Sequence, residues 1–384
     1  MIKIIKAEYC LPEIPFRFSF AHASAVRKKT QTLWIRLYSG KGNSGMGESC
    51  PREYVTGETP VGCVSELQRQ MRNFCVKVND VKSLLDWILK NKKWIDNNPA
   101  AFCALEIAFL DLLGKELKKD AGEIYILIHK NLIFKETAII QNQKIKGTAV
   151  LGKMSFGYLY TLSLLYKVLG FKDFKYKLSG NYNLDKKVLR LFSKKMYTVR
   201  IDANNYWKDP DEAADYMNEI GSVFAAEEPV SASDWKSLHK FYHKTKIPVI
   251  LDESIKNTDD FKKLNKSECQ WILNVRISKM GGLIRSLVFS MNANQKGFQI
   301  VLGSHVGETS LLAATEKILY EFSGIDFLFY EGAFSNFLLE YDPFVPKIRM
   351  GFGGTVRNRL SGAGMGVKFE KGMENKFNWF QFDI

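Results

Sequence analysis

The sequence predicts an α/β protein whose larger part is a (β/α) barrel, and three observations support this. Beyond about residue 145, short β-rich runs alternate with helical segments, as in βα units around a parallel sheet. Five of these runs end roughly 25 residues apart, which accommodates a strand, a loop and a three-turn helix. With 384 residues, 46% of them hydrophobic and 25% charged, the chain is globular and longer than one small domain.

Residues 1–125 are predicted to form a separate α+β unit. Residues 32–38 form a β-rich run that ends in the turn-forming residues 39–43. Apolar residues at three- and four-residue spacing predict a helix from Pro60, and two more helices are expected at residues 81–89 and 99–117. The last of these is apolar on most sides, which predicts a buried helix.

The barrel is expected over residues 146–352. Residues 147–154 supply its first strand, and the five regular runs end at Lys177, Asp202, Glu227, Asp252 and Lys279. Residues 298–302 and 327–330 supply the last two strands. Eight such strands close a barrel of ordinary size.

All five regular runs end in a charged residue, although parallel barrel strands are buried on both sides. The carboxyl ends of barrel strands gather around one point, where the active sites of this architecture lie. Asp202, Glu227 and Asp252 would repel one another there unless a cation lies between them. Because the ligand atoms are all oxygens, Mg²⁺ is the expected ion and Mn²⁺ the alternative.

Lys177 and Lys279 are expected to flank this metal from opposite sides, on the second and sixth strands. A lysine near a divalent cation and a second lysine can have its pKa lowered from about 10.4 toward neutrality, which makes it a usable base. A metal that binds a substrate carboxylate also acidifies the adjacent C–H. The predicted chemistry is therefore proton abstraction next to a carboxylate, and a barrel with merely ion-paired strand ends is the alternative.

Short motifs at these positions resemble those of the muconate-lactonizing subgroup of the enolase superfamily. The segments that resemble its two lysine motifs are Lys175-Tyr176-Lys177 and Lys279-Met280-Gly281-Gly282. Those that resemble its three metal-ligand motifs are Asp202-Ala203-Asn204, Glu227-Glu228-Pro229 and Asp252-Glu253-Ser254. The matches Gly45-Met46-Gly47-Glu48 and Leu302-Gly303-Ser304 extend the resemblance over nearly the whole chain.

The resemblance implies a modified (β/α)7β TIM-like barrel with an α+β N-terminal capping domain, to which residues 353–384 return. It implies that Asp202, Glu227 and Asp252 bind Mg²⁺, and that Lys177 and Lys279 are the acid/base pair.

Further residues are expected to support this site. The supporting residues are Lys175, which would act on Lys177 electrostatically, with Asn204 and Glu253. Glu228 and Glu253 each follow a ligand by one residue, so the alternation of a strand points them away from the metal.

Residues 51–59 are similar to a segment of dipeptide epimerases in this subgroup. The implied activity is epimerisation at the carbon next to a carboxylate, on a dipeptide. Those enzymes carry Asp-x-Asp at the eighth strand for the substrate's ammonium group, whereas this sequence has one acid, Glu331. A single glutamate is closer to the muconate cycloisomerase pattern. Muconate-type cycloisomerase and o-succinylbenzoate synthase, in which one lysine moves the proton and the other supplies charge, remain alternatives.

The expected partner is a small anionic carboxylate substrate. Ser304, His305 and Glu331 are expected to contact it, and the resemblance assigns specificity also to residues 16–30. His239 and His243 lie one helical turn apart, a spacing compatible with a metal. Because no third ligand is evident in the sequence, no metal site is predicted there.

Other classes of protein are less compatible with the sequence. The net charge of +14 would attract nucleic acid, but the lysines are spread along the chain, so a basic nucleic-acid-binding scaffold is the non-enzymatic alternative. No apolar run is long enough to span a membrane, and the N-terminus lacks the core of a signal peptide. The six cysteines form no CxxC pair, which predicts free thiols in the cytoplasm. A homo-oligomer is compatible with these features.

Overall fold

The structure, a computed structural model, describes residues 2–21, 26–132, 145–264, 268–357 and 359–384. The strands of the N-terminal part are β1 (Ile4–Cys10), β2 (Pro15–Ala21), β3 (Val26–Lys29), β4 (Leu33–Ser39) and β5 (Ser44–Ser49). Its helices are α1 (Glu53–Thr56), α2 (Pro60–Lys77), α3 (Val81–Lys90), α4 (Lys92–Asn97), α5 (Pro99–Leu117) and α6 (Ala121–Asn131). The predicted helices from Pro60, at 81–89 and at 99–117 are confirmed.

The following part of the chain alternates strands and helices. The strands are β6 (Ala149–Leu151), β7 (Asp173–Lys177), β8 (Thr198–Asp202), β9 (Ala225–Glu227), β10 (Val249–Leu251), β11 (Trp271–Val275), β12 (Gln299–Leu302) and β13 (Phe327–Tyr330). The helices are α7 (Phe156–Val168), α8 (Tyr182–Arg190), α9 (Pro210–Ile220), α10 (Trp235–Thr245), α11 (Ile277–Met280), α12 (Leu283–Gln295), α13 (Ser310–Phe322) and α14 (Ser335–Leu338). Short strands follow, β14 (Phe344–Val345), β15 (Arg349–Met350), β16 (Val356–Arg357), β17 (Lys368–Phe369) and β18 (Phe380–Gln381). None of the helices in the described ranges has the length and apolar character needed to cross a membrane.

The eight strands β6 to β13 form one parallel sheet in chain order. The first and last of them meet, because the backbone N–H of Thr148 donates to the carbonyl of Tyr330 at 2.7 Å and Gly147 forms a parallel bridge to Tyr330. The sheet therefore closes into a barrel, and the predicted fold class is confirmed. The carboxyl ends of all eight strands lie at one face.

The predicted strand ends are confirmed at Lys177, Asp202 and Glu227, whereas two others need correction. Asp252 is the first residue after β10, which ends at Leu251. The run that was expected to reach Lys279 stops pairing at Val275, and Lys279 lies in the single helical turn α11. This turn closes because Gly281 and Gly282 have φ angles of 85° and 103°, which favour glycine.

A second sheet, antiparallel and in the order β18-β1-β4-β5, is built from both ends of the chain. Strands β4 and β5 are joined by a turn at residues 40–43. Strand β18 pairs with β1 through Glu8↔Gln381 and Tyr9↔Phe380. The ring of Trp34 in β4 also packs against aromatic residues of the C-terminal segment, namely Phe369, Phe377 and Trp379.

Helix α5 packs on β5 at unusually short range. A Cβ atom at Gly45 would lie 2.2 Å from the carbonyl oxygen of Ala108, and one at Gly47 would lie 2.0 Å from that of Ala104. Both distances are impossible for a real side chain. The glycines at alternate positions of β5 therefore allow this backbone contact.

Two buried glutamates of the N-terminal part bind the first turns of barrel helices. Glu106 of α5 accepts hydrogen bonds from the backbone N–H groups of Leu283 and Ile284 in α12. Glu48 of β5 accepts bonds from the N–H groups of Thr309 and Leu312 at α13. The first N–H groups of a helix have no partner within the helix, and these glutamate oxygens supply one, so the contacts fix the two parts of the chain to each other.

Candidate active site

A cavity opens at the carboxyl ends of the barrel strands and contains most of the predicted site residues. Those that line it are Lys175, Lys177, Asp202, Asn204, Glu227, Asp252, Glu253, Ser304, His305 and Glu331. Lys279 is not among the residues that line this cavity in the described part of the chain. Tyr54 of the N-terminal part and Arg276, neither of them predicted, are.

The three predicted metal ligands lie at the carboxyl ends of neighbouring strands and are all buried. Lys175 lies between two of them, with Nζ 2.6 Å from Glu227 and 3.4 Å from Asp202. Burial alone would lower the pKa of Lys175, but Glu227, Glu331 and Asp202 outweigh it and raise the pKa above its usual range. Lys175 is therefore a permanently charged group that holds the carboxylates together, and it is not suited to be a base.

These carboxylates have oxygens that can accept a further cation. Glu227 Oε2 and Asp252 Oδ2 are buried and accept no hydrogen bond. Each instead faces a cationic side chain, Lys175 and Arg276 respectively. Carboxylate oxygens that line one cavity are the ligands that Mg²⁺ prefers, so the residues present fit this ion.

Lys177 is the more accessible of the two predicted acid/base lysines. Its Nζ lies 3.3 Å from Asp202 Oδ2, and its side chain is 11% exposed. The ammonium group thus ends at the cavity wall beside a predicted metal ligand. This is the position that the prediction requires.

Lys279 is held in a different way. Its Nζ donates to Asp252 Oδ1 at 2.8 Å, to the Asp252 carbonyl at 2.8 Å and to the Asn274 carbonyl at 2.7 Å. The side chain is 0% exposed. Because an ammonium group has three N–H bonds, all its donors are in use. The role of Lys279 as second acid/base stays a prediction, and its placement favours positioning of Asp252.

Arg276 faces the cavity from the end of the sixth strand, where the second base was expected. Its guanidinium pairs with the carboxylate of Asp252 and lies 3.4 Å from Glu227. Burial would lower its pKa, but Asp252 and Glu227 outweigh this and raise it well above the usual value. Arg276 is the first residue after β11, as Asp252 is after β10, so the strand-end argument would have selected it had the end of β11 been known.

Glu331, the single acid after the eighth strand, is bound by two cations. Its Oε2 lies 3.0 Å from Lys175 Nζ and its Oε1 lies 2.7 Å from an Arg200 guanidinium nitrogen. Burial would raise its pKa, but Lys175 and Arg200 outweigh burial and lower it to about 2. The negative charge of Glu331 is therefore already balanced within the protein.

The two glutamates that were expected to point away from the metal differ from each other in their contacts. Glu228 accepts hydrogen bonds from the N–H groups of Asp252 and Ser254 and from the Ser254 hydroxyl, and so it fixes the loop after β10. Glu253 instead lines the cavity, which is contrary to the expectation. Strand alternation does not apply to Glu253 because β10 ends at Leu251.

The remaining predicted residues lie around the cavity mouth. Asn204 donates its backbone N–H to Asp202 Oδ1 at 3.1 Å. The Ser304 hydroxyl donates to the Glu331 carbonyl at 3.0 Å, and His305 is buried with Nδ1 3.7 Å from Glu308. Of the predicted specificity segment at 16–30, residues 22–25 lie outside the described residues. Its first part approaches the site, since Phe16 would contact a Cβ placed at Gly307.

Comparisons with known proteins agree on one family. The family described as enolase C-terminal domain-like matches residues 163–371. The N-succinyl-L-Arg/Lys racemase of Bacillus cereus is 23% identical over 306 residues, 76% of this chain and 77% of that protein. The L-Ala-D/L-Glu epimerase of Clostridium acetobutylicum is 25% identical over 311 residues, 78% of this chain and 82% of that protein.

Solved structures share the fold. The N-succinyl Arg/Lys racemase of Bacillus cereus superposes with a TM-score of 0.82 at 19% identity, covering 99% of this chain and 100% of the other. The dipeptide epimerase of Cytophaga hutchinsonii, complexed with Mg and the dipeptide D-Ala-L-Val, gives a TM-score of 0.81 at 19% identity and covers all of both chains. At these identities the similarity establishes the architecture.

Proposed function

The chain belongs to the enolase C-terminal domain-like family, and on this premise we propose that it is a Mg²⁺-dependent epimerase, an isomerase that removes and returns the α-proton next to a carboxylate, with a dipeptide as substrate. One observation carries the proposal: three buried carboxylates and a lysine end in one cavity at the carboxyl ends of the barrel strands. The names of the relatives, racemases and epimerases of amino-acid derivatives, support the reaction type.

Asp202, Glu227 and Asp252 would hold the metal. When bound, Mg²⁺ supplies positive charge to a substrate carboxylate and so favours loss of the neighbouring proton. Lys175 and Glu228 act on these three carboxylates and not on the proton. Lys175 neutralises part of their charge, and Glu228 fixes the backbone N–H of Asp252 at 2.7 Å.

Lys177 is proposed to move the proton on its side of the substrate. In its neutral form Nζ accepts the α-proton, and in its charged form it returns one. Its Nζ lies 3.3 Å from the predicted ligand Asp202, so the amine would be close to a substrate whose carboxylate binds the metal. No other lysine in the described ranges combines this exposure to the cavity with that distance.

An epimerase also needs a group that moves a proton on the opposite side of the substrate. If Lys279 is that group, its Nζ must break its hydrogen bond to the Asn274 carbonyl in order to reach the cavity. Arg276 already faces the cavity, but a guanidinium remains protonated and does not accept a proton at ordinary pH. This side of the site is better suited to hold charge than to abstract a proton.

That arrangement favours a second candidate function, a one-base reaction. In a muconate-type cycloisomerase or o-succinylbenzoate synthase, Lys177 would do the proton work and the cation opposite would only stabilise charge. Inversion of configuration, by contrast, needs proton delivery from both faces. The two candidates therefore differ in a measurable product.

The carboxylate of Glu331 is already paired with cations of the protein, and this affects which substrates fit. Because Lys175 and Arg200 balance this charge, it is a weak partner for the ammonium group of a dipeptide. An amino acid whose nitrogen is acylated needs no such partner. N-acyl amino acids therefore belong beside dipeptides among the compounds to be tested.

We further propose that residues 1–125 and 353–384 form the cap over the catalytic barrel of residues 146–352. Tyr54 of the cap lines the cavity, which supports a part for the cap in substrate selection. A cytoplasmic location, the absence of nucleic-acid binding and a homo-oligomeric state stay predictions.

The test is solvent exchange. The enzyme with Mg²⁺ is incubated in D₂O with libraries of dipeptides and N-acyl amino acids, and the products are analysed by mass and by chiral chromatography. Deuterium at the α-carbon together with inversion is the result expected of an epimerase. Exchange without inversion, or a cyclised or dehydrated product, supports the one-base reaction. Lys177→Met, which keeps the stem but removes the amine, is the control, and turnover equal to wild type in that variant would contradict both candidates.

A further inference from the structure

A group of side chains of the types that bind metals lies at the opposite end of the barrel. His239 and His243 are on α10, one helical turn apart, and Cys269 precedes the first residue of β11 by two positions. The amino ends of barrel strands lie at the face opposite to the catalytic one. This group is therefore separate from the carboxylate cavity.

The three side chains meet although Cys269 is remote from the histidines in the sequence. Their ligand atoms all lie within 4.8 Å of one another, and Cys269 Sγ is 3.3 Å from His239 Nδ1. The carboxylate of Glu268 lies 3.4 Å from the same nitrogen. Two imidazoles and one thiol thus form one group, and the Glu268 carboxylate lies beside it at His239.

The group of His239, His243 and Cys269 is accessible from solvent on one side. Cys269 is a free thiol and 3% exposed, and the His239 ring packs edge-on to Trp271 with 5.2 Å between ring centroids. His243 is exposed. Two ligands are therefore held by the fold, while the third can adjust to an ion.

We propose that His239, His243 and Cys269 bind a divalent cation of the zinc class, with Glu268 as the fourth ligand. Zn–N bonds of about 2.0–2.1 Å and a Zn–S bond of about 2.3 Å place the ligand atoms of a tetrahedral site roughly 3.5 Å apart. The ligand atoms now lie within 4.8 Å of one another, so a movement of the exposed His243 by roughly 1.3 Å or less would bring them to the tetrahedral spacing. Thiolate and imidazole ligands select zinc over magnesium, so the two sites of the protein discriminate between ions.

Binding involves no redox step. The Cys269 thiol loses its proton to solvent and its sulfur forms a bond to the ion. Burial raises the pKa of Cys269 to about 11, and the charge of the ion reverses this effect. One proton should therefore be released for each ion bound.

The test uses Co²⁺ as a spectroscopic substitute for Zn²⁺, added to the full-length protein in excess Mg²⁺. Coordination of thiolate to Co²⁺ gives a charge-transfer absorption that carboxylate ligands cannot produce. We expect this band to saturate at about one equivalent, to disappear on addition of Zn²⁺ and to be absent from Cys269→Ser. His243→Ala should weaken binding by at least about tenfold, because one of the ligands is lost.

Matched variants test whether the absorption band comes from this group. Cys75→Ser changes a half-buried cysteine elsewhere, and Asp252→Asn alters the catalytic cavity; both should retain it. Cys269→Ser should keep wild-type turnover, because the group lies away from the cavity. The proposal is overturned if no band forms, if Cys269→Ser retains it, or if Asp252→Asn removes it.

Discussion

Replacement of Lys279 by methionine tests whether this lysine is a base or a positioning residue. Lys279→Met keeps most of the stem and removes the ammonium group, so the carboxylate oxygen of Asp252 and the carbonyl oxygens of Asp252 and Asn274 lose their donors. A buried acceptor without a donor costs about 1–3 kcal/mol, and a broken buried ion pair costs about 3–5 kcal/mol. Since Arg276 still pairs with Asp252, we expect a total loss of about 3–5 kcal/mol in the free energy of unfolding.

The catalytic consequence follows from the same contacts. If Lys279 positions Asp252, its loss weakens the metal site and slows α-proton exchange of both substrate epimers by the same factor. If Lys279 is the second base, exchange of one epimer falls by about 10²–10⁴-fold and that of the other persists. Lys177→Met is the matched control, because it removes the other predicted acid/base amine from a side chain that is 11% exposed, whereas that of Lys279 is 0% exposed.

Two assays are needed on the purified variants. Urea denaturation gives the free energy of unfolding, and deuterium incorporation is followed separately for each epimer of an identified substrate. Wild-type stability in Lys279→Met, together with loss of exchange in a single epimer, would refute the positioning role.

The remaining predictions concern the cavity and the packing of the N-terminal part. Arg276→Lys introduces an ionisable amine at the cavity wall and is expected to increase exchange from that face, as measured by deuterium uptake. Removal of metal by EDTA should abolish turnover, with recovery on adding Mg²⁺. Glu106→Ala leaves two buried N–H groups without an acceptor and should cost about 2–6 kcal/mol in urea denaturation. Gly47→Ala should cost about 1–3 kcal/mol or more in the same assay, because its Cβ would overlap the backbone of α5.

The barrel and its carboxylates could be predicted because each signal is local. An apolar run followed by a charge fixes the ends of β7, β8 and β9 at Lys177, Asp202 and Glu227. The end of β11 could not be fixed in this way. The sequence there contains two cations, Arg276 and Lys279, and only the paired length of the strand decides which of them faces the cavity.

Other features depend on contacts between remote parts of the chain. Arg200 looks like an ordinary strand residue, yet it binds the carboxylate of Glu331, 131 positions away. Cys269 reaches His239 across 30 positions, which is why the spacing of the histidines predicted no third ligand. Glu48 and Glu106 carry no sequence signal for the helices they bind, because those helices begin more than 170 residues later.

The contact of Glu106 with α12 limits how far the two parts of the chain are modular. Helix α12 has a glycine as its N-cap and no side-chain cap of its own, so its first N–H groups obtain their acceptor from the N-terminal part. This helix directly follows the turn that carries Lys279. An excised barrel would therefore lack this acceptor next to its catalytic end. A chimera with the N-terminal part of a relative would need an acid at the position of Glu106, so the N-terminal part cannot be exchanged without regard to the barrel.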